Sequence, residues 1–290
     1  MNFLKTFYLV SAILISCLLG GCHCSQSVNQ NKNLVVLISE DGVPESLKMQ
    51  VYGFLKSIRL NVEIIPWKYD SGKTEQAADA YLFDKTTRFF PAGTIFLVLH
   101  GSSAQNRLIA ARSQTGKIYM GSDDGLFSQS LQREGVAEIR EIQLQSTTSS
   151  MSELLHGQGQ LLEGISHVLK GEALETLGAK ITDVKTLSIK PASVLSNQIT
   201  GEIIYIDHAG NVVTNVKADH LVNFKTDQLI RLSLQGKTYS IPIVQNQEEI
   251  PPGRLVTRLN QNKELEITIA KKSAAEFLSA KVGQQIVIKF

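Results

Sequence analysis

The order of strand-like and helix-like patterns is the feature that most constrains the fold of this 290-residue chain. In the first two thirds, short apolar runs typical of buried strands alternate with segments whose apolar residues recur at helical spacing. Leu34–Ile38 and Thr94–Leu99 are two of the predicted strands, and Thr74–Phe83 is one of the predicted helices. This alternation predicts an α/β domain with a mostly parallel sheet at residues 34–195.

From residue 196 onward the helical spacing disappears and short strands separated by Gly, Asn and Pro turns take its place. Gly201–Ile206, Val212–Val216 and Glu264–Ile269 are examples of these strands. Many short strands with frequent turns are typical of a closed or stacked antiparallel sheet. We therefore predict a smaller all-β domain, barrel-like or sandwich-like, at residues 196–290.

The amino terminus has the pattern of an export signal. An apolar run from Phe7 to Leu19 follows Lys5, and it is too short to span a bilayer core of about 30 Å. The run ends in Leu-Gly-Gly-Cys22, which resembles the lipobox of bacterial lipoproteins, where the cysteine is acylated after cleavage. We expect a signal peptide at 1–21 and a polar tether at 22–33. The exported protein would be anchored to a bacterial membrane through Cys22, on the periplasmic side or at the cell surface; an ordinary secretory signal is the alternative.

Charge and cysteine content exclude several classes of protein. The 29 basic and 27 acidic residues nearly balance, and no basic stripe is visible, so a nucleic-acid partner is disfavoured. Three cysteines with no CxxC spacing provide neither a disulfide framework nor a zinc site. The histidines show no metal-ligand spacing, so we expect no metal. Arg112 and Lys117 are expected to be solvated surface charges.

Five short motifs suggest a function. In order and spacing they resemble those of the S-adenosylmethionine (SAM) hydroxide adenosyltransferase family, which is related to the bacterial fluorinase and chlorinase. The resemblance runs from about Val36 to Ile288. It implies attack of water on the ribose C5′ of SAM, giving adenosine and methionine, with SAM as the substrate and no cofactor. Halide use lacks support in the residues. The motifs are Phe90–Thr94, His100–Arg107, Gly121–Leu126, His156–Gly157 and Asp207–Asn215.

The resemblance also implies catalytic residues. The family's water-activating Asp-Arg-His group falls on His100, Arg107 and His156, so a histidine stands where the family has the aspartate. A guanidinium beside His100 would make this imidazole a weaker base. Either His100 or His156 then serves as the base, or the protein binds adenosine or SAM without turning it over.

The substrate-binding residues follow from the same resemblance. Glu40 and Glu45 match two acids that hold the ribose diol, since a carboxylate oxygen can accept each hydroxyl proton; alternatively they are solvated acids at the start of a helix. Asp124 replaces an asparagine of the family, and Asn260 lies in a turn that the family places by the adenine.

The stretch Asp207–Asn215 raises a separate question. A Gly-Asn turn explains Asp207 to Asn211, but an amide at Asn215 is unexpected inside a strand. The resemblance implies homotrimers in which this loop contacts the ligand of a neighbouring subunit, so Asn211 and Asn215 are predicted substrate-binding residues. Ala209 stands where the family has a phenylalanine, and one wall of that site is therefore missing.

Overall fold

The computed structural model describes residues 33–40, 42–58, 61–69, 76–100, 107–144, 158–222, 229–244 and 252–289. The predicted signal peptide, the tether with Cys22, and His156 lie outside these residues. Among the residues described, none of the helices combines the length and the apolarity that a membrane crossing requires.

The first sheet has six strands in the order β2-β1-β3-β5-β4-β6. Strands β2, β1, β3 and β5 run parallel, and β4 is antiparallel to both of its neighbours. The predicted mostly parallel sheet is therefore confirmed. The bounds are β1 (Asn33–Glu40), β2 (Val62–Tyr69), β3 (Ile95–Leu99), β4 (Leu108–Ser113), β5 (Ile118–Ser122) and β6 (Val136–Glu141).

Alternating side chains of these strands enter two apolar cores, one on each face of the sheet. Leu37 belongs to the core that α1 and α4 cover, whereas Ile38 belongs to an aromatic-rich core with Phe83 of α2 and Leu131 of α3. This is the period-two alternation of a strand buried on both faces. The predicted helix at 74–83 is observed at 76–87. The helices are α1 (Glu45–Ile58), α2 (Gln76–Thr87), α3 (Ser128–Glu134) and α4 (Gly159–Lys170).

The paired strands of the second sheet are all antiparallel, in the order β11-β10-β14-β8-β9-β13-β12, with β7 paired to β8. Its two ends meet where Ile243 bridges to Thr257 and the Val244 N–H donates to the Thr257 carbonyl at 2.8 Å. The predicted barrel-like domain is confirmed. Its elements are β7 (Ser193–Leu195), β8 (Gln198–Ile206), β9 (Val212–Lys217), β10 (Leu229–Leu234), β11 (Lys237–Pro242), β12 (Leu255–Leu259), β13 (Glu264–Ile269), α5 (Ala274–Leu278) and β14 (Gln285–Lys289).

Helix α2 ties the first sheet to the barrel. The Tyr81 hydroxyl donates to the buried carboxylate of Glu264, and Lys85 Nζ lies 2.7 Å from the other oxygen of the same carboxylate. The Tyr81 ring packs against that of Tyr205, with 5.7 Å between the ring centroids. Burial, together with Glu264, raises the pKa of Tyr81, so its phenol remains a hydrogen-bond donor.

The expectation that Lys117 is a surface charge is wrong. Its ammonium is buried and donates to Glu134 and to the carbonyl of Thr87, each at 2.8 Å. Burial alone would raise the pKa of Glu134, but hydrogen bonds from Lys117, Thr115 and Tyr119 outweigh it and lower the pKa from 4.5 to about 2. The partner lies on α3, seventeen residues away, so local sequence does not reveal it.

Candidate active site

Polar side chains collect where three neighbouring parallel strands end. Glu40 is the last residue of β1, His100 directly follows β3, and Asp123 and Asp124 directly follow β5. Ligands of open α/β sheets bind outside the carboxyl ends of the strands, so this edge is the candidate site.

The hydrogen bonds of His100 identify its tautomer. The backbone N–H of Ser122 donates to Nε2 at 3.2 Å, so Nε2 presents its lone pair. The ring proton is then on Nδ1, which donates to Glu40 Oε1 at 2.8 Å. His100 is 5% exposed, and both of its ring nitrogens are engaged.

Gly121 provides the space for this imidazole. A Cβ atom at position 121 would lie 3.1 Å from Val98 Cβ, 3.2 Å from Phe127 Cζ and 3.4 Å from His100 Nε2. Any larger residue would therefore press on both the aromatic core and the ring of His100.

Asp124 completes the cluster on the Nδ1 side of His100. Its Oδ2 lies 3.8 Å from Nδ1, and its Oδ1 accepts the N–H of Leu126 at 2.9 Å. Burial raises the pKa of Asp124 and the charge of Glu40 adds to this, whereas the Leu126 N–H opposes it. A carboxylate with a raised pKa is a better proton acceptor than an ordinary aspartate.

The same three residues have the composition of a cation site. Ligand atoms of Glu40, His100 and Asp124 lie within 4.8 Å of one another. A metal at Nδ1 would need the lone pair of that nitrogen, but the Ser122 N–H at Nε2 leaves the proton on Nδ1. In metal-binding histidines the ring nitrogen that does not bind the metal normally donates a hydrogen bond, but Nε2 of His100 accepts one. The hydrogen bonds of the cluster therefore favour a proton on Nδ1, between His100 and Glu40.

Arg107 has different partners from those expected. Its Nε donates to Asp123 Oδ2 at 2.8 Å, and its NH1 lies 3.3 Å from the Asp183 carboxylate. Asp123 also accepts the backbone N–H of Lys185 at 2.9 Å. The carboxylates of Glu40 and Asp124 lie beside the ring of His100, whereas the guanidinium of Arg107 pairs with Asp123 and Asp183. Asp183 belongs to no motif and could not be anticipated.

Gln158 supports the end of β3 from the start of α4. Its side-chain amide donates to the His100 carbonyl at 3.1 Å and is buried. This hydrogen bond links the end of β3 to the start of α4.

Glu45 does not join the cluster. Its carboxylate pairs with Lys48 at 2.6 Å on the first turn of α1, and its side chain is 81% exposed. The structure thus brings together Glu40, His100 and Asp124 among the predicted residues and leaves Glu45 in solvent.

Asn215 is explained by its own hydrogen bonds. Its Nδ2 donates to the Lys190 carbonyl at 2.7 Å, and its Oδ1 accepts the Glu202 N–H at 2.8 Å. The side chain is therefore a buried link between the barrel and the segment that leads into it.

Asn211 and Asn260 also make hydrogen bonds within the chain. Asn211 Nδ2 donates to Asp207 at 2.8 Å, and its Oδ1 accepts from Thr268. Asn260 Oδ1 accepts the backbone N–H groups of Asn262 at 2.9 Å and Glu264 at 3.1 Å. Both amides stabilise turns of the barrel.

Sequence comparison matches most of the chain to two domain profiles. The profile of the SAM hydroxide adenosyltransferase N-terminal domain matches residues 35–178, and that of the C-terminal domain matches residues 201–287. The Glu40–His100–Asp124 cluster lies within the first match.

Two relatives of known name are similar to this chain, a fluorinase and a SAM hydrolase. The fluorinase of Actinopolyspora mzabensis is 22% identical over an alignment of 231 residues, and the match covers 67% of this chain and 75% of the relative. The (R)-S-adenosyl-L-methionine hydrolase of Methanocaldococcus jannaschii is 22% identical over an alignment of 207 residues, and the match covers 69% of this chain and 71% of the relative.

Solved structures share the fold. An uncharacterized conserved protein from Thermotoga maritima matches with a TM-score of 0.75 and 22% identity, covering 88% of this chain and 100% of its own. A conserved hypothetical protein from Thermus thermophilus matches with a TM-score of 0.68 and 20% identity, covering 88% of this chain and 99% of its own. With both domain profiles matched in order along the chain, the protein belongs to the SAM hydroxide adenosyltransferase family.

Proposed function

We propose that this protein hydrolyses SAM to adenosine and methionine. A water oxygen forms a bond to the ribose C5′, the C5′–S bond breaks with its electron pair going to sulfur, and the water releases one proton. Family membership and the SAM hydrolase relative support SAM as the substrate. The observation that carries the proposal is the Glu40–His100–Asp124 cluster at the carboxyl edge of the sheet.

The hydrogen bonds suggest a role for each member of the cluster. His100 is a positioning residue, because neither ring nitrogen is free to accept a proton. It fixes Glu40 through Oε1, and among the residues that the structure describes nothing bonds to Oε2, which can accept a ribose hydroxyl. Asp124, with its raised pKa, orients the water and takes its proton.

The charge of the cluster favours water over a halide as the nucleophile. Two carboxylates flank a neutral imidazole, so the local field attracts the cationic sulfonium of SAM and repels a chloride or fluoride ion. The methionine sulfur becomes neutral as it leaves, and a site that excludes water would assist that loss of charge.

Turnover in labelled water tests the proposal. Purified full-length protein is incubated with SAM in H₂¹⁸O, and the products are identified by mass spectrometry. We expect methionine and adenosine with ¹⁸O in the 5′-hydroxyl, and a loss of turnover of roughly 100-fold or more in Asp124→Asn. Glu45→Gln, the same class of change at an exposed carboxylate, is the control. Unlabelled adenosine, or no product at any pH, would refute hydrolysis at C5′.

A second function, adenosine or SAM binding without turnover, is favoured by a specific observation. His100 stands at the position of the family's aspartate, and both of its ring nitrogens are occupied by hydrogen bonds. Titration calorimetry would then show SAM or adenosine binding with no product formed, and His100→Asp would gain activity.

We also propose that Cys22 carries a lipid anchor and that the chain forms trimers with sites at subunit interfaces. Mass spectrometry of the membrane fraction should show an acylated Cys22 at the amino terminus, and Cys22→Ser should release the protein. Light scattering on the detergent-solubilised protein should give three times the chain mass. A soluble Cys22-containing protein, or a monomer, would contradict the respective proposal.

A further inference from the structure

A second cleft lies between the α/β domain and the barrel, and none of the active-site cluster residues lines it. Its volume is about 430 Å³, which is the size of a small-molecule site. Helices α2 and α3 form one wall, the segment at 189–192 forms another, and β8, β9 and the start of β13 form the third.

The cleft concentrates positive charge. Five basic and two acidic side chains line it, a formal surplus of three, whereas the whole chain carries only +2. The seven are Lys85, Arg88, Arg133, Lys190, Lys217, Asp84 and Glu264.

Both acidic side chains of the cleft are already paired with basic ones. Asp84 accepts from Arg88 and from Arg133, at 2.7 Å in the second case, and Glu264 accepts from Lys85. Across the described part of the chain, no carboxylate pairs with Lys190 or Lys217. The two ammonium groups of Lys190 and Lys217 are therefore available to an anion, while Arg133 is shared between Asp84 and Glu134.

The backbones of both lysines are held in place. Asn215 fixes the Lys190 carbonyl at 2.7 Å, and the Lys217 N–H donates to His220 Nδ1 at 3.1 Å. Because Nδ1 of His220 accepts, its ring proton is on Nε2, which adds a neutral donor to the lining. Asn215 thus contributes to this cleft in addition to joining the domains.

The remaining lining is apolar. Ile189, Pro191, Ala192 and Ile204 line the cleft beside Tyr81. Basic groups from several elements suit a dianion with several acceptor oxygens, and a phosphomonoester is such a group near neutral pH. We propose that this cleft binds a phosphomonoester that carries a small apolar body, either as a free metabolite or as a lipid headgroup. The proposal is independent of the hydrolase activity.

Calorimetry with the full chain tests the site. Phenyl phosphate serves as the soluble probe, and vesicles of phosphatidylcholine with or without phosphatidic acid serve as the lipid probe. We expect saturable one-to-one binding of phenyl phosphate that weakens with added salt. The double variant Lys190→Gln/Lys217→Gln should weaken it by about tenfold or more.

A matched control and the two probes separate the outcomes. Lys170→Gln/Lys180→Gln removes the same charge at exposed lysines outside the cleft and should leave binding unchanged, with thermal melts confirming that both variants fold. Binding of phenyl phosphate supports a free phosphomonoester, and enhanced binding to phosphatidic acid vesicles alone supports a headgroup. Binding of neither probe, or equal weakening by both double variants, would overturn the proposal.

Discussion

Replacing Glu134 by glutamine should reveal how much a buried carboxylate with several hydrogen-bond donors stabilises the α/β domain. The carboxylate is fully buried and accepts from Lys117 at 2.8 Å and from Tyr119 at 2.9 Å, and Arg133 NH2 lies 2.9 Å away. Glutamine keeps the shape but removes the charge, which leaves the buried ammonium of Lys117 without a counter-ion.

The lowered pKa of Glu134 gives the expected size of the stability loss. A shift from 4.5 to about 2 corresponds to about 3 kcal/mol of stability at neutral pH. Loss of one partner of a buried ion pair costs about 3–5 kcal/mol in general, which agrees. For a chain of this size the melting temperature should fall by roughly 6–12 °C.

The pH dependence of the unfolding free energy provides a second, independent test. Because the folded-state pKa is below the unfolded-state value, the stabilisation is complete above pH 4.5 and is lost as the pH falls towards 2. Urea unfolding of the wild type and Glu134→Gln at several pH values should therefore show a difference that shrinks in acid. Glu45→Gln removes an exposed Glu–Lys pair and should cost less than about 1 kcal/mol. A Glu134→Gln difference below about 1 kcal/mol at neutral pH, or one that does not change with pH, would refute the reasoning.

Three further substitutions test other contacts. Gly121→Ala should cost about 1–3 kcal/mol in urea unfolding and reduce SAM turnover, while Gly53→Ala, which has open space around it, should be neutral or stabilising; equal effects would contradict the packing argument. Asn215→Ala should cost about 2 kcal/mol and speed proteolysis near Lys190, whereas Asn262→Ala at an exposed turn should not; unchanged proteolysis would show that the Lys190 contact is dispensable. Tyr81→Phe should cost about 1–3 kcal/mol by leaving Glu264 short of a donor, against little change for Tyr52→Phe, and a neutral result would remove Tyr81 as a link between the domains.

Much of the fold could be predicted because it depends on local periodicity. The strand at Leu34–Ile38 is buried on both faces and reads as a continuous apolar run. The strand at Leu108–Ser113 carries Arg112 on its half-exposed side, where it faces Glu138 at 3.5 Å, and such a mixed pattern predicts no element. The helix at 128–134 is too short for its periodicity to be recognised.

The candidate site could be predicted only in part. Motif order placed Glu40, His100 and Asp124 at strand ends, and the parallel sheet brings those ends together. The partner of each carboxylate depends on the direction of its side chain at the edge of the sheet. Asp123 contacts Arg107, whereas its neighbour Asp124 contacts His100.

The amino-acid sequence by itself determined the order of strands and helices, the change from an α/β to an all-β domain, and membership of the family, because these are encoded in local spacing and in motif order. Only the tertiary structure decided the partners of the charged and amide groups. Lys117 reads as a surface lysine until α3 places Glu134 against it, and the sequence does not reveal that Asn215 donates to the Lys190 carbonyl. The basic cleft has the same origin, since its lysines and arginines are scattered along the chain and meet only where the two domains pack. Long-range hydrogen bonds and ion pairs depend on distances that sequence spacing does not contain.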